Sequence, residues 1–107
     1  MTAVARLSAA LNTVSRRCQD DNLGGITVFL CICEHNGICI KDIVHLCGLS
    51  EAKVSRSVEA LRQLDGGGLV DVHRHPTDGR KRLVFLTENG EALRREMEHI
   101  FKEAVPA

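Results

Sequence analysis

The chain of 107 residues is long enough for one domain with a single hydrophobic core. Hydrophobic residues make up 44% and charged residues 26%, a balance typical of a globular protein. The only aromatic side chains are three Phe. Modules that bind single-stranded RNA stack bases on aromatic side chains, so the composition disfavours that class.

The formal net charge is zero, so any affinity for nucleic acid must come from the distribution of charge. Residues 72–86 contain three arginines and one lysine against a single aspartate, whereas residues 88–103 contain five acids against three bases. Positive charge is therefore concentrated in one short segment, as a phosphate-binding surface requires.

No apolar run approaches the length of a membrane span, and the first residues lack the basic-then-apolar order of a signal peptide. We therefore expect a cytoplasmic protein with no membrane partner. In that compartment the five cysteines are expected to be reduced thiols. No Cys-x-x-Cys pair and no catalytic motif is present, so no metal, cofactor or enzymatic activity is expected.

The first part of the chain predicts helices. Apolar residues at alternating steps of three and four mark a helix over residues 2–19, namely Val4, Leu7, Leu11, Val14 and Cys18. A Gly-Gly pair then interrupts the pattern. The almost wholly apolar run 26–34 predicts a buried central helix, although its β-branched content also suits a strand. His35-Asn36-Gly37 ends this run, and residues 38–40 suffice only for a short strand.

Residues 41–64 have the outline of a helix-turn-helix motif. A short helix over 41–47 is closed by Gly48, and Ser50 is the predicted N-cap of a second helix that begins at Glu51. The predicted inward face of this second helix carries Val54, Val58, Leu61 and Leu64. The opposite face carries Lys53, Arg56, Glu59 and Arg62.

A β-hairpin is predicted after the second helix. Two β-like runs, 69–75 and 82–87, are joined by Pro76-Thr77-Asp78-Gly79, and a Pro followed closely by Asp-Gly is a turn signal. Thr87 is the predicted cap of a last helix, whose apolar stripe is Leu93, Met97, Ile100 and Phe101. The expected order is helix, helix, short strand, helix, helix, strand, strand, helix. This is a winged helix-turn-helix, mainly α with a small β-wing, in a single domain of residues 1–107.

These residues resemble the MarR family of bacterial regulators from about Ile26 to Leu93. The resemblance includes Gly48-Leu49-Ser50, Val54-Ser55-Arg56 and Gly68-Leu69-Val70. Its most distinctive part is similar to the wing signature of that family, and consists of Asp78-Gly79-Arg80, then Leu83-Val84-Phe85-Leu86-Thr87 and Gly90. The resemblance implies a dimeric DNA-binding regulator of transcription. The segment between Arg56 and Gly68 is longer than in the family. The terminal helical regions, which form the dimer and the ligand site in the family, are shorter. The sequence therefore does not decide whether the protein binds a small-molecule effector.

The second helix of the motif is predicted to lie in the major groove of double-stranded DNA. Lys53, Ser55 and Arg56 are the predicted contacts to base edges, and Ser50 and Arg62 complete the DNA-facing set on this helix. The alternative is a solvated helix face with ordinary charges. The wing that follows favours DNA contact.

The hairpin is the second predicted DNA contact. Arg80 is expected to enter the minor groove, with Asp78 holding the tip and orienting Arg80 by a charge-assisted hydrogen bond. Arg74, Lys81 and Arg82 are expected to contact the phosphate backbone. The alternative is a polar turn with an incidental ion pair. His73 and His75 are expected to share one strand face, where phosphate contact or exposure is favoured over a metal pair.

The terminal helices, residues 1–20 and 88–104, carry narrow apolar stripes typical of a helix seam. We expect these two helices to form a homodimer, with residues 26–87 as the DNA-binding core. The alternative is that they pack against their own domain. Because the net charge is zero, a second function remains as an alternative, namely a winged-helix module that binds another protein and does not bind DNA. A thiol-based redox-sensing regulator is a further alternative, although core packing is favoured for Cys31 and Cys47.

Overall fold

The computed structural model of the protein describes residues 22–62 and 67–104. Within them the elements are α1 (Asn22–Glu34), β1 (Ile38–Cys39), α2 (Ile40–Cys47), α3 (Glu51–Arg62), β2 (Val70–Arg74), β3 (Arg82–Leu86) and α4 (Glu88–Ala104). This order confirms the predicted winged helix. The helix predicted over residues 2–19 and the inward position predicted for Leu64 lie outside the described residues.

Helix α1 is the centre of the core. Its side chains Val28, Phe29 and Ile32 are fully buried. They pack with Ile43 of α2 and with the face of α3 that the sequence predicted to point inward, Val54, Val58 and Leu61. The remaining buried members come from the wing and α4, and are Leu69, Val70, Val84 and Met97.

The start of α1 differs from the prediction. The helix already includes Asn22 and runs through Gly24 and Gly25, instead of beginning at Ile26. Glycine costs a helix about 1 kcal/mol relative to alanine. Both glycines are buried here, so tertiary packing outweighs that cost. The central run is a helix and not the alternative strand.

Strand β3 is the middle of a three-stranded antiparallel sheet with the order β1-β3-β2. Ile38 of β1 pairs with Val84, and β2 pairs with β3 from Val70↔Leu86 to Arg74↔Arg82. The strands are shorter than predicted.

His75 lies beyond the end of β2 and does not share a strand face with His73, contrary to the expectation. The reason is local, because the His75 ring turns back onto the loop that follows and accepts hydrogen bonds from it.

Helix α4 is capped as predicted. The Gly90 N–H donates to Thr87 Oγ1 at 3.1 Å, and the Glu91 N–H donates to the Thr87 carbonyl at 2.8 Å. Met97 is only 5% exposed and belongs to the core, with Leu93 packed against it. The apolar stripe of α4 therefore packs at least in part within its own domain. None of the helices in the described ranges combines the length and apolar content needed to span a membrane.

Candidate DNA-binding surface

The turn between α2 and α3 fixes the start of the second helix of the motif. Gly48 ends α2 in the left-handed conformation, with φ of 67°, and its N–H donates to the Val44 carbonyl at 3.0 Å. Ser50 then caps α3, because its Oγ accepts the Lys53 N–H at 3.1 Å. The Ser50 hydroxyl predicted to face DNA is thus used by the helix backbone.

A cleft of about 660 Å³ lies between the start of α3 and the wing. It brings Ser55 together with four predicted wing residues, which are Asp78, Arg80, Lys81 and Arg82. Two charged residues that sequence reasoning missed, Lys41 at the start of α2 and Glu51 at the start of α3, line the same cleft. Only the packing of α2 and α3 beside the wing places them there, so no local sequence signal identified them.

A second cleft, of about 290 Å³, continues along α3. Arg56 and Arg62 of α3 line it together with Arg82 of the wing. Ser55 and Arg82 line both clefts, which therefore form one continuous surface. We call it the α3–wing surface, and its charged side chains are Lys41, Glu51, Arg56, Glu59, Arg62, Asp78, Arg80, Lys81 and Arg82. Six of these are basic and three are acidic.

Three predicted contacts lie beside this surface, and the first is Ser50, whose hydroxyl caps α3. Lys53 is a half-buried residue of α3 that lines neither cleft. Arg74 lines neither cleft but sits opposite Arg82 in the β2–β3 ladder. The structure thus gathers most of the predicted site, with Ser50, Lys53 and Arg74 at its margin.

The wing tip is held by backbone hydrogen bonds. Asp78 Oδ1 accepts the Arg80 backbone N–H at 3.2 Å, and the Asp78 carbonyl accepts the Lys81 N–H at 3.0 Å. The Arg80 Nε lies 3.9 Å from Asp78 Oδ1, beyond hydrogen-bond distance, and the Arg80 side chain is 96% exposed. The predicted side-chain hydrogen bond is therefore replaced by a side-chain-to-backbone turn, for which aspartate is well suited.

The cysteines of α1 are packing groups in this structure. Burial, followed by contact with Cys47, raises the pKa of the Cys31 thiol to about 11. Burial also raises the pKa of Cys33 to about 12, although Arg94 opposes it. The thiolate is the reactive form, so burial disfavours the reaction of both thiols near neutral pH. Within the described ranges, no three His, Cys, Asp or Glu side chains are grouped to hold a metal ion.

No family model matches the sequence, and no curated protein matches it. Solved structures match its fold. RV1404 from Mycobacterium tuberculosis has a TM-score of 0.70 at 24% identity, covering 94% of this chain and 65% of that one. A MarR transcriptional regulator from Methanosarcina mazei has a TM-score of 0.67 at 21% identity, covering 94% and 73%. Overoxidized AbfR bound to DNA has a TM-score of 0.64 at 21% identity, covering 96% and 74%.

The fold is a winged helix of the kind found in transcriptional regulators. More narrowly, it is the MarR-type winged helix that the sequence resemblance implied. The chain spans 65% of the length of RV1404.

Proposed function

We propose that the protein is a sequence-specific regulator of transcription that binds double-stranded DNA in the cytoplasm. The observation that carries the proposal is the convergence of basic side chains from α3 and from the wing on the α3–wing surface. A fold like that of AbfR, which has been solved bound to DNA, supports it.

In this proposal, α3 and the wing contact different parts of the duplex. Helix α3 enters the major groove, where Ser55 and Arg56 are exposed and reach base edges. Arg80, at the hairpin tip, enters the neighbouring minor groove. Lys81 and Arg82 contact phosphates and supply affinity that depends on salt and not on sequence.

Zero net charge does not oppose this function, because basic residues outnumber acidic ones on the α3–wing surface by six to three, and further acidic residues are paired elsewhere. On α4, Arg94 forms ion pairs with Glu91 at 2.8 Å and with Glu98 at 2.7 Å. Those charges lie on a different element from the two clefts. DNA bound at the α3–wing surface interacts with the local excess of basic groups there, and not with the net charge of the chain.

The proposal includes a homodimer. A two-fold DNA site is read by two recognition helices about one helical turn apart, and one small wing offers limited affinity. Leu30 and Leu46 are large apolar side chains with exposures of 39% and 60%, and a second subunit is a partner suited to cover them. Met97 belongs to the core, so a charge placed there tests folding; Leu30→Asp and Leu46→Asp are the variants that test assembly.

Selection of bound fragments from a random DNA pool, followed by titration of the selected site at two salt concentrations, tests the function. We expect tight binding that weakens as salt rises. Arg80→Ala should lower affinity by on the order of 1–3 kcal/mol, whereas Arg95→Ala, exposed on α4, is the matched control and should not. A protein that selects no sequence, and binds random DNA equally weakly at both salt concentrations, is instead a protein-interaction module.

Sedimentation tests the dimer separately. We expect a dimer at micromolar concentration, with Leu46→Asp shifting it toward monomer while helical circular dichroism is retained. A wild-type monomer that still binds its selected site tightly contradicts the dimer. A redox-sensing regulator would have to use cysteines other than Cys31 and Cys33, because burial disfavours the thiolate form of these two.

A further inference from the structure

The loop of the wing is organised around the imidazole of His75. Its Nδ1 accepts the backbone N–H of Asp78 at 3.0 Å and that of Thr77 at 3.2 Å. The Thr77 hydroxyl lies 3.2 Å from the same nitrogen. The His75 backbone N–H donates to the Lys81 carbonyl at 2.9 Å across the loop. One side chain therefore satisfies both of the amides that follow Pro76.

These hydrogen bonds continue to the DNA-contacting end of the loop. Asp78, whose amide is held by His75, uses its own Oδ1 to accept the Arg80 N–H and its carbonyl to accept the Lys81 N–H. The Arg80 side chain is 96% exposed, so no packing fixes it. Its position depends on the backbone conformation that His75 and Asp78 set.

The arrangement requires a neutral imidazole. A nitrogen that faces two N–H donors must carry no proton, so the neutral ring is protonated on Nε2. Both hydrogen bonds are lost when the side chain at this position offers no acceptor at the place of Nδ1.

We propose that neutral His75 is the positioning residue of the wing. It holds the loop in the conformation that presents Arg80, and loss of its acceptor nitrogen weakens the recognition of specific DNA. The inference rests on the proposed function, because it concerns the same surface. Specificity, measured as the ratio of affinities for the selected site and for random DNA, is the quantity that must fall when the acceptor is removed.

The first experiment follows the turn without DNA. Amide proton shifts of Thr77 and Asp78 are recorded by ¹⁵N-resolved NMR. In the wild type both should lie downfield, as hydrogen-bonded amides do. In His75→Asn they should stay downfield, because the amide oxygen occupies nearly the same place as Nδ1. In His75→Ala both should move upfield. Wild-type amides that lie no further downfield than those of His75→Ala overturn the proposal.

The second experiment measures the specificity ratio of the same variants. His75→Ala should lose about three- to tenfold, the effect of roughly one neutral hydrogen bond. His75→Asn should keep the ratio of the wild type. His45→Ala, exposed on α2 and lining neither cleft of the α3–wing surface, is the matched control and should also keep it. A His75→Ala ratio equal to that of the wild type, or a His75→Asn ratio as low as that of His75→Ala, overturns the positioning role.

The two readouts separate this inference from the function on which it rests. Absence of DNA binding by every variant at every pH overturns the proposed function, and with it the role of His75 in recognition. The amide shifts of the variants would then still decide whether His75 organises the turn. Amide shifts that change as expected beside an unchanged specificity ratio would confine His75 to the structure of the loop, against the proposal.

Discussion

Arg74 and Arg82 lie directly opposite each other in the β2–β3 ladder, both exposed. Like charges at opposite positions destabilise a sheet, in the range of about 0.2–1 kcal/mol. Neither arginine has an acidic ion-pair partner among the described residues. Arg82 also lines both clefts of the α3–wing surface. The pair is unfavourable in the free protein and becomes favourable when a phosphate lies between the two side chains.

Arg82→Gln should therefore change stability and binding in opposite directions. We expect the free energy of unfolding to rise by up to about 0.5 kcal/mol as the repulsion is removed. The affinity for DNA of every sequence should fall, and the salt dependence should become shallower by about one phosphate contact. Urea unfolding followed by circular dichroism suits a chain without Trp or Tyr. Arg95→Gln is the control, and equal effects of both variants would contradict the assignment.

Arg56 and Lys81 should separate base readout from backbone contact. Arg56→Ala, on the exposed face of α3, should lower the affinity for the selected site and relax its preference over single-base variants by about 1–3 kcal/mol. Lys81→Ala should weaken binding to all variants alike. Titrations against a panel of mismatched sites measure both effects. Identical profiles for the two variants would show that the roles are wrongly divided.

The sequence predicted those parts of the fold whose signals are local. Ser50 as the cap of α3, Thr87 as the cap of α4 and the inward stripe of Val54, Val58 and Leu61 all lie where the pattern placed them. The prediction that α1 begins at Ile26 was wrong, because burial of Gly24 and Gly25 outweighs their low helix propensity.

The site was predicted less completely, because its assembly is tertiary. Lys41 and Glu51 join the cleft only through the packing of α2 and α3 beside the wing. The Asn36 side chain accepts the Leu86 N–H at 2.8 Å across 50 residues of sequence, a contact that no local pattern contains. The role of His75 depends on the orientation of its ring toward the loop, and neither composition nor periodicity predicts the orientation of a side chain.

Ser50 offers a test that separates capping from DNA contact. Ser50→Ala should lower the free energy of unfolding by about 1 kcal/mol, because the Lys53 N–H loses its acceptor. Ser50→Asp should keep the cap and the stability but place a negative charge beside the DNA backbone, so binding should weaken. Ser50→Asn, which caps without charge, should retain both properties. Reduced DNA binding by the Asn variant at unchanged stability would indicate a direct contact from the serine hydroxyl.

Gly90 is predicted to be a position where a side chain is not tolerated. A Cβ there would collide with the Leu69 carbonyl oxygen, which is backbone and has no freedom to move aside. Gly90→Ala should lower the free energy of unfolding by about 1–3 kcal/mol, the range for overpacking. Gly79, at the wing tip, has no atom within 4 Å of the same added carbon and does not have a positive φ. Gly79→Ala should therefore be neutral or stabilising, by up to about 1 kcal/mol.

The thiols of α1 should make stability fall in alkaline solution. Burial raises the pKa of Cys31 to about 11 and that of Cys33 to about 12, from an ordinary value of 9.0. A pKa raised by folding means that the folded state favours the protonated thiol. The associated stability is complete below about pH 9 and is lost as pH rises toward 11–12. Urea midpoints measured from pH 7 to pH 11 should decline, and Cys33→Ala should decline less steeply from its own lower starting value. An equal decline in Cys33→Ala would assign the effect to other groups.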